Sequence, residues 1–303
     1  MRIIVPFHMS TPKRPALFVG AGLGDVARRL YLTDTYDLLG TFTEPASILS
    51  FSHNPSALDF FRFHPNSQRL VLIDAGHIYM ALLHDRNVER KDINRRVFEI
   101  CGFTDTDFIA RRREPKPIGF FHAPDVISDA KGHIVIHAFG RGWGNWPETV
   151  CEAVRSALRD MPVPVRAFVI CATHISTDGR RMMESFPCDL PHVTVLQNLS
   201  APAAFSLVAS ASRFIGTISS LAQVAAFEGI PSLVLHPERC SDFIPPFNDY
   251  SKTILHANGM AIPYGRLAEP AVGEAIRLFL RGCGQPLKVR ELFTGIPAMP
   301  DCP

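Results

Sequence analysis

One carboxylate at the end of a glycine-rich loop is the first group equipped for chemistry. The stretch GAGLGDVARRLY, Gly20 to Tyr31, places Asp25 directly after Gly20, Gly22 and Gly24. The glycines keep the loop thin, so a ligand can approach its backbone closely. A carboxylate beside that ligand can take the proton of an attacking hydroxyl. Asp25 can equally be a plain helix N-cap. The run is not Gly-x-Gly-x-x-Gly, because its third glycine comes too early and no ribose-binding acid follows, which argues against a nicotinamide enzyme. Among the histidines of the N-terminal half, His53 and His77 each follow an expected strand and are the alternative bases.

Two loops of the second half carry the complementary chemistry. HAFGRGWGNWPE, His137 to Glu148, combines glycines with Arg141, whose guanidinium offers a fork of donors to phosphate, and with Asn145. It contains both tryptophans, Trp143 and Trp146, and runs into a helix start that favours anions. GTISSLAQVAAFEGIP, Gly216 to Pro231, sets Thr217, Ser219 and Ser220 at a strand-to-helix turn. Their hydroxyls and the free amides of the helix start form a second anion-friendly site, whether or not Ser219 or Ser220 is also a cap. Gln223 in the first helical turns can face the same ligand. Glu228 sits at the end of that helix, unfavourable by its dipole, which hints at a hydroxyl-binding use.

The elements that must position these residues read as alternating strands and helices, an α/β chain with parallel sheets. In the first part, Ala16–Gly20, Ser47–Ser52 and Arg69–Asp74 read as strands. Asp25–Thr33 and Val88–Cys101 read as helices, with Gly102 as a stop. A Pro-, Arg- and Asp-rich linker covers Thr104–Asp129. In the second part, strands are expected at His133–Ala138, Ala167–Ala172, Val193–Leu196, Arg213–Thr217, Ser232–Leu235 and Lys252–His256. Helices are expected from Pro147, near Arg180–Ser185, and over Ala203–Ala211, Leu221–Glu228 and Pro270–Leu280. The expected organisation is a domain over 1–125, a second over 126–284 and a tail over 285–303 that crosses back to the first. Two Rossmann-like domains facing across a cleft would bind ligand at the carboxyl ends of their strands.

The chain of 303 residues is 47% hydrophobic and 20% charged, enough to bury a core. Its net charge of +2 disfavours a dedicated nucleic-acid binder. Arg111-Arg112-Arg113 reads as a solvated stretch of linker. Seven scattered cysteines without a Cys-x-x-Cys pair describe neither a zinc framework nor a disulfide scaffold, and a cytoplasmic location is expected. No apolar run has the length of a signal peptide or of a membrane span, so any membrane contact is expected to be peripheral. Asp105-Thr106-Asp107 imitates a metal-binding Asp-x-Asp, but it follows a helix in the linker, and no metal site or cofactor is expected.

Together these segments resemble the heptosyltransferase-like glycosyltransferases, family 9 of the GT-B fold, over most of the chain. In that family the second domain opens with His-Pro-Gly, a loop and Trp-Pro; here stand His137-Ala138-Phe139-Gly140 and Trp146-Pro147. The family's Lys before Trp-Pro is missing, and Arg141 is the nearest cation. Its Asp-Ser-Gly with a following His is here Ile218-Ser219-Ser220 with Gln223, before the shared Gly229-Ile230-Pro231. A Gly-Asp pair after the first strand is matched by Gly24-Asp25. The resemblance implies an inverting, metal-independent transfer from a nucleotide-diphosphate sugar to an acceptor hydroxyl. Asp25 is then the base, and His137, Arg141, Asn145, Thr217, Ser219, Ser220, Gln223 and Glu228 surround the donor. The loss of the family's Asp, Lys and His implies an altered donor sugar or base.

A glycan or surface-polysaccharide acceptor is the family's default, with protein or modified DNA bases as alternatives. Two rivals stay open. A sugar-nucleotide epimerase fits Glu228 and Pro237-Glu238-Arg239 and would need no acceptor. A non-catalytic nucleotide-binding protein of the same fold fits the missing residues.

Overall fold

The computed structural model of the protein describes residues 2–4, 16–19, 46–50, 70–104, 132–140, 144–161, 165–171, 189–197, 199–238 and 259–281. The chain divides into two compact units, Met1–Phe120 and Phe121–Pro303.

The first unit holds a parallel sheet of β1 (Arg2–Ile4), β2 (Ala16–Val19), β3 (Ala46–Ser50) and β4 (Leu70–Asp74), ordered β1-β4-β3-β2. Strands β2, β3 and β4 match expectation to within a few residues; β1 was not expected, because Pro6 and His8 break the run that contains it. Helix α1 (Gly76–His84) follows β4 directly and was also missed. It opens on Gly76 and is apolar nearly all round, so it lacks the amphipathic period that marks a surface helix. Helix α2 covers Ile93–Ile100, preceded by a 3-10 turn over Arg90–Asp92. The expected start at Val88 was therefore five residues early. Glu89 is extended (φ −68°, ψ 138°), and the α-helix begins only after the tighter turn. Ile93 and Val97 turn into a core with Leu49, Ile73, Ile78 and Phe103. Gly102 ends the helix with φ 76°, a conformation that an L side chain resists.

The second unit carries a six-stranded parallel sheet. Its strands are β5 (Ile134–His137), β8 (Ala167–Cys171), β9 (Val193–Gln197), β10 (Arg213–Gly216), β11 (Ser232–His236) and β12 (Gly259–Pro263). Two short strands, β6 (Phe139–Gly140) and β7 (Gly144–Asn145), pair antiparallel within the loop after β5. The sheet order is β9-β8-β5-β10-β11-β12. Numbered within the unit this is 3-2-1-4-5-6, the order of a dinucleotide-type Rossmann sheet. The last strand lies at Gly259–Pro263. GMAIP has too few β-branched residues to stand out as a strand, and the expected strand at Lys252–His256 lies outside the described residues, as does the helix near Arg180–Ser185.

Helices α3 (Glu148–Arg159) and α6 (Pro270–Arg281) pack together, as do α4 (Ala201–Ala209) and α5 (Ser220–Phe227). Strand alternation decides which residues meet which pair. Ile134, Ile136, Ile215, Leu233 and Leu235 share one core with Val150 and Val154 of α3 and Ile276 and Phe279 of α6. The intervening positions, among them His133, His137, Val234 and His236, therefore face the α4–α5 side. His133 confirms this, since its Nε2 lies 3.1 Å from the Leu207 carbonyl of α4. Among the described residues, no helix is long and apolar enough to cross a membrane.

Candidate functional site

In a sheet of this order the connections leave β5 on one side and β10 on the other, so a crevice opens between the carboxyl ends of these two strands. His137 ends β5, and Gly216, its partner in register, ends β10. The ladder continues one step further, because the Thr217 amide donates to the His137 carbonyl at 2.9 Å. The turn Thr217–Ser219 then enters α5.

Ser219 is the N-cap. It is extended (φ −160°, ψ 171°), and its Oγ accepts from the Ala222 amide at 3.3 Å. Its carbonyl accepts from the Gln223 amide. Helix geometry supplies no acceptor for the amides of Ser220 and Leu221, and no other group among the described residues takes them, so the electropositive end of α5 points at the crevice. The segment Thr217 to Gln223 contains no charged residue, so nothing within it cancels that end.

The same Ser219 Oγ lies 3.2 Å from Nδ1 of His137. Burial lowers the pKa of His137 to about 4, so the ring is neutral at physiological pH. Having accepted from Ala222, the Ser219 hydroxyl retains a proton to donate to Nδ1, and the ring then carries its own hydrogen on Nε2. The opposite tautomer makes the same contact with the roles reversed. Either way a strand end and a helix cap, 82 residues apart in the chain, are tied through one hydroxyl.

Gly216 is required for this closeness. A Cβ there would stand 2.6 Å from the Phe214 ring and 3.0 Å from the His137 carbonyl. Thr217 is fully buried, and its Oγ1 has no hydrogen-bond partner among the described residues. Gln223, half-buried in the first turn of α5, has its Oε1 buried in the same condition. Buried polar atoms left without partners are uncommon, and each asks for a partner that the described residues do not supply.

Of the expected donor-site residues, the structure therefore gathers His137, Thr217, Ser219, Ser220 and Gln223 at one switch point. It does not bring Glu228 there. Glu228 is the C-cap of α5, the length of an eight-residue helix, about 12 Å, from Ser219, toward the amino end of the sheet. The expectation that it joins the ligand is corrected on this ground: a crossover helix runs antiparallel to its strands, so its two ends lie at opposite edges. Asn145 ends β7, in the loop leading from β5 to α3. His77 is exposed in the first turn of α1, one residue beyond the Gly76 amide, which donates to the Asp74 carboxylate at 3.0 Å. Gly22, Gly24, Asp25, His53 and Arg141 lie outside the described residues, as do Trp143 and Asp105-Thr106-Asp107.

Trp146 is a core residue. It is fully buried, and its indole N–H donates to the Leu235 carbonyl at 3.0 Å, fastening the loop after β5 to β11. Sequence reasoning missed His236, which ends β11 fully buried. The usable signal was its place: a histidine closing an apolar strand run in an α/β chain stands at the ligand edge. Among the described residues, no group of three or more His, Cys, Asp or Glu is placed to hold a metal ion.

The two α/β units, the second with a Rossmann-type sheet, have the GT-B fold, shown by the solved structures the chain is similar to. Against ADP-heptose LPS heptosyltransferase II of E. coli the TM-score is 0.57 at 11% identity, covering 93% of this chain and 98% of that one. Against a family 9 glycosyl transferase of Veillonella parvula it is 0.50 at 12% identity, covering 88% and 89%. No protein-family model matches the chain, and no curated protein matches it by sequence.

Proposed function

We propose that the protein is a glycosyltransferase that moves a sugar from a nucleotide-diphosphate donor to an acceptor hydroxyl. The observation that carries this reading is the N-terminus of α5, whose Ser220 and Leu221 amides have no acceptor among the described residues, capped by Ser219 and tied to neutral His137 at the β5/β10 switch point. Such an end attracts a diphosphate and stabilises the charge that builds on it as it leaves.

The C-terminal unit holds the donor. The diphosphate lies on the Ser220 and Leu221 amides, with Arg141 as the cation, so neutralisation requires no divalent metal. The N-terminal unit holds the acceptor. Its hydroxyl oxygen attacks the anomeric carbon, the bond from that carbon to the diphosphate oxygen breaks, and the electron pair leaves with the nucleoside diphosphate. The acceptor proton passes to Asp25. A single direct displacement inverts the anomeric centre. A glycan or surface-polysaccharide acceptor and a cytoplasmic location complete the reading.

A thermal-shift panel of nucleoside diphosphates and their sugars tests the donor site, starting with ADP-heptose, the compound named for the E. coli neighbour. One nucleotide is expected to raise the melting temperature selectively by mass action, and Arg141→Ala to weaken that shift. Turnover is expected to fall in Asp25→Asn and to persist in His53→Ala and His77→Ala. The reverse pattern would assign the base to a histidine, and a donor isomerised without acceptor would make the protein an epimerase.

A further inference from the structure

The strand next to the crevice ends in a buried histidine that the donor reading leaves unused. His236 closes β11, which pairs with β10 through Gly216 and Val234. It lies two residues beyond Val234 and so shares its face, the face on which His137 stands across β10. The two histidines therefore stand on the two strands that neighbour β10, on one face of the sheet, with His236 two residues further toward the carboxyl edge than His137.

The hydrogen bonding of His236 fixes its tautomer. Nδ1 lies 3.0 Å from the Pro237 carbonyl, and a carbonyl only accepts, so Nδ1 carries the hydrogen. Burial lowers the pKa of the ring, which keeps it neutral. Nε2 is then a bare lone pair. It is buried, and among the described residues it has no partner. An acceptor of this kind repels phosphate oxygens, which are acceptors themselves, and is satisfied by an O–H.

We propose that His236 is a specificity-determining residue whose Nε2 accepts a hydrogen bond from a sugar hydroxyl of the bound nucleotide sugar. The inference rests on the donor-site reading above. It divides the labour at the crevice: the α5 amides read the charged diphosphate, and His236 reads an uncharged hydroxyl beside it. The hydroxyl belongs either to the ribose or to the transferred sugar, and the chemistry is the same.

The test is calorimetry on the full chain with ADP, UDP and GDP, their 2′-deoxy forms and their sugar conjugates. It compares the native protein with His236→Phe, which keeps the ring volume without the acceptor, and His236→Gln, which restores an acceptor. For the nucleotide the native protein prefers, His236→Phe is expected to bind on the order of tenfold more weakly, and His236→Gln to recover part of the loss. If the loss is seen with the free ribonucleotide and vanishes with its 2′-deoxy form, the hydroxyl is the ribose's. If it is seen only with the sugar conjugate, the hydroxyl is the transferred sugar's. Native affinity in His236→Phe, with only a lower melting temperature, would overturn the inference and make His236 a structural residue satisfied by water. Should His236→Phe fail to fold, the native protein still decides. Equal affinity for ribo- and deoxy-nucleotides, together with no gain from any sugar hydroxyl, overturns the inference. Failure of the native protein to bind any nucleotide would instead bring down the donor-site reading itself.

Discussion

Two strand-to-helix turns, one in each unit, solve the same local problem with opposite electrostatics. After β4 the Asp74 carboxylate holds the first amide of α1 at 3.0 Å. After β10 a serine hydroxyl caps α5. Both satisfy an orphan amide of a helix start. Only the second leaves the helix end free to attract an anion, because the carboxylate at α1 already occupies that role with its own charge. The anion site of a strand end therefore depends less on the presence of a helix start than on the charge of the group that caps it.

The sharpest way to break this contrast is to give the start of α5 the negative charge that Asp74 sets beside α1. Aspartate is as good an N-cap as serine, so Ser219→Asp is expected to fold with a melting temperature near native. It places a negative charge about 4 Å from the proposed diphosphate position, a repulsion of about 4 kcal/mol at an effective dielectric of 20. Nucleotide affinity measured by calorimetry is expected to fall about a thousandfold. Retained affinity would move the diphosphate away from α5.

The neutral histidine beside that cap makes the stability of the second unit depend on pH. The folded pKa of His137, about 4, lies below the ordinary value near 6.5. Above pH 6.5 both folded and unfolded states keep the ring neutral, and stability from this group is flat. Between pH 6.5 and 4 the unfolded state takes up the proton and the folded state does not, so stability falls as pH falls, by about 3 kcal/mol over the window. His236, lowered by burial as well, acts in the same direction. Both tryptophans lie in the second unit, so tryptophan fluorescence during urea unfolding reports that unit alone. Equal stability at pH 7 and pH 5 would mean that His137 is solvated.

What the sequence disclosed follows from where the information was local. Strands such as Arg213–Gly216 and Ser232–His236 are compact apolar runs bounded by turn residues, and they stood out. So did the Ser219-Ser220 turn, because hydroxyls before an apolar helix have few other uses. The link from His137 to Ser219 did not stand out, since it depends on the strand order that sets β5 beside β10. His236 carried a local signal, closing an apolar strand run, but its place beside the crevice depends on the same strand order. Glu228 misled because a helix end was judged by its charge alone, without the direction of the helix. Trp146 lay beyond reach as well: whether an indole stacks on a ligand or fastens a loop is decided by the Leu235 carbonyl, 89 residues away.

The smallest expected effect comes from reversing the exchange in the first unit. Asp74→Ser keeps an oxygen that can accept from the Gly76 amide but removes the charge beside α1. The hydrogen bond to a carboxylate is stronger than one to a hydroxyl, so the unit is expected to lose about 0.5–1 kcal/mol. Nucleotide affinity is expected to stay within about twofold of native, the range left when one net charge is removed from a site that does not hold the anion and the remaining field is screened by salt. The comparison is strongest when the two substitutions are read together. A large loss from Ser219→Asp and almost none from Asp74→Ser would place nucleotide recognition in the β10–α5 turn. A rise in nucleotide affinity on Asp74→Ser would show that the α1 start becomes an anion site once its carboxylate is removed, so that the charge of the cap governs both turns.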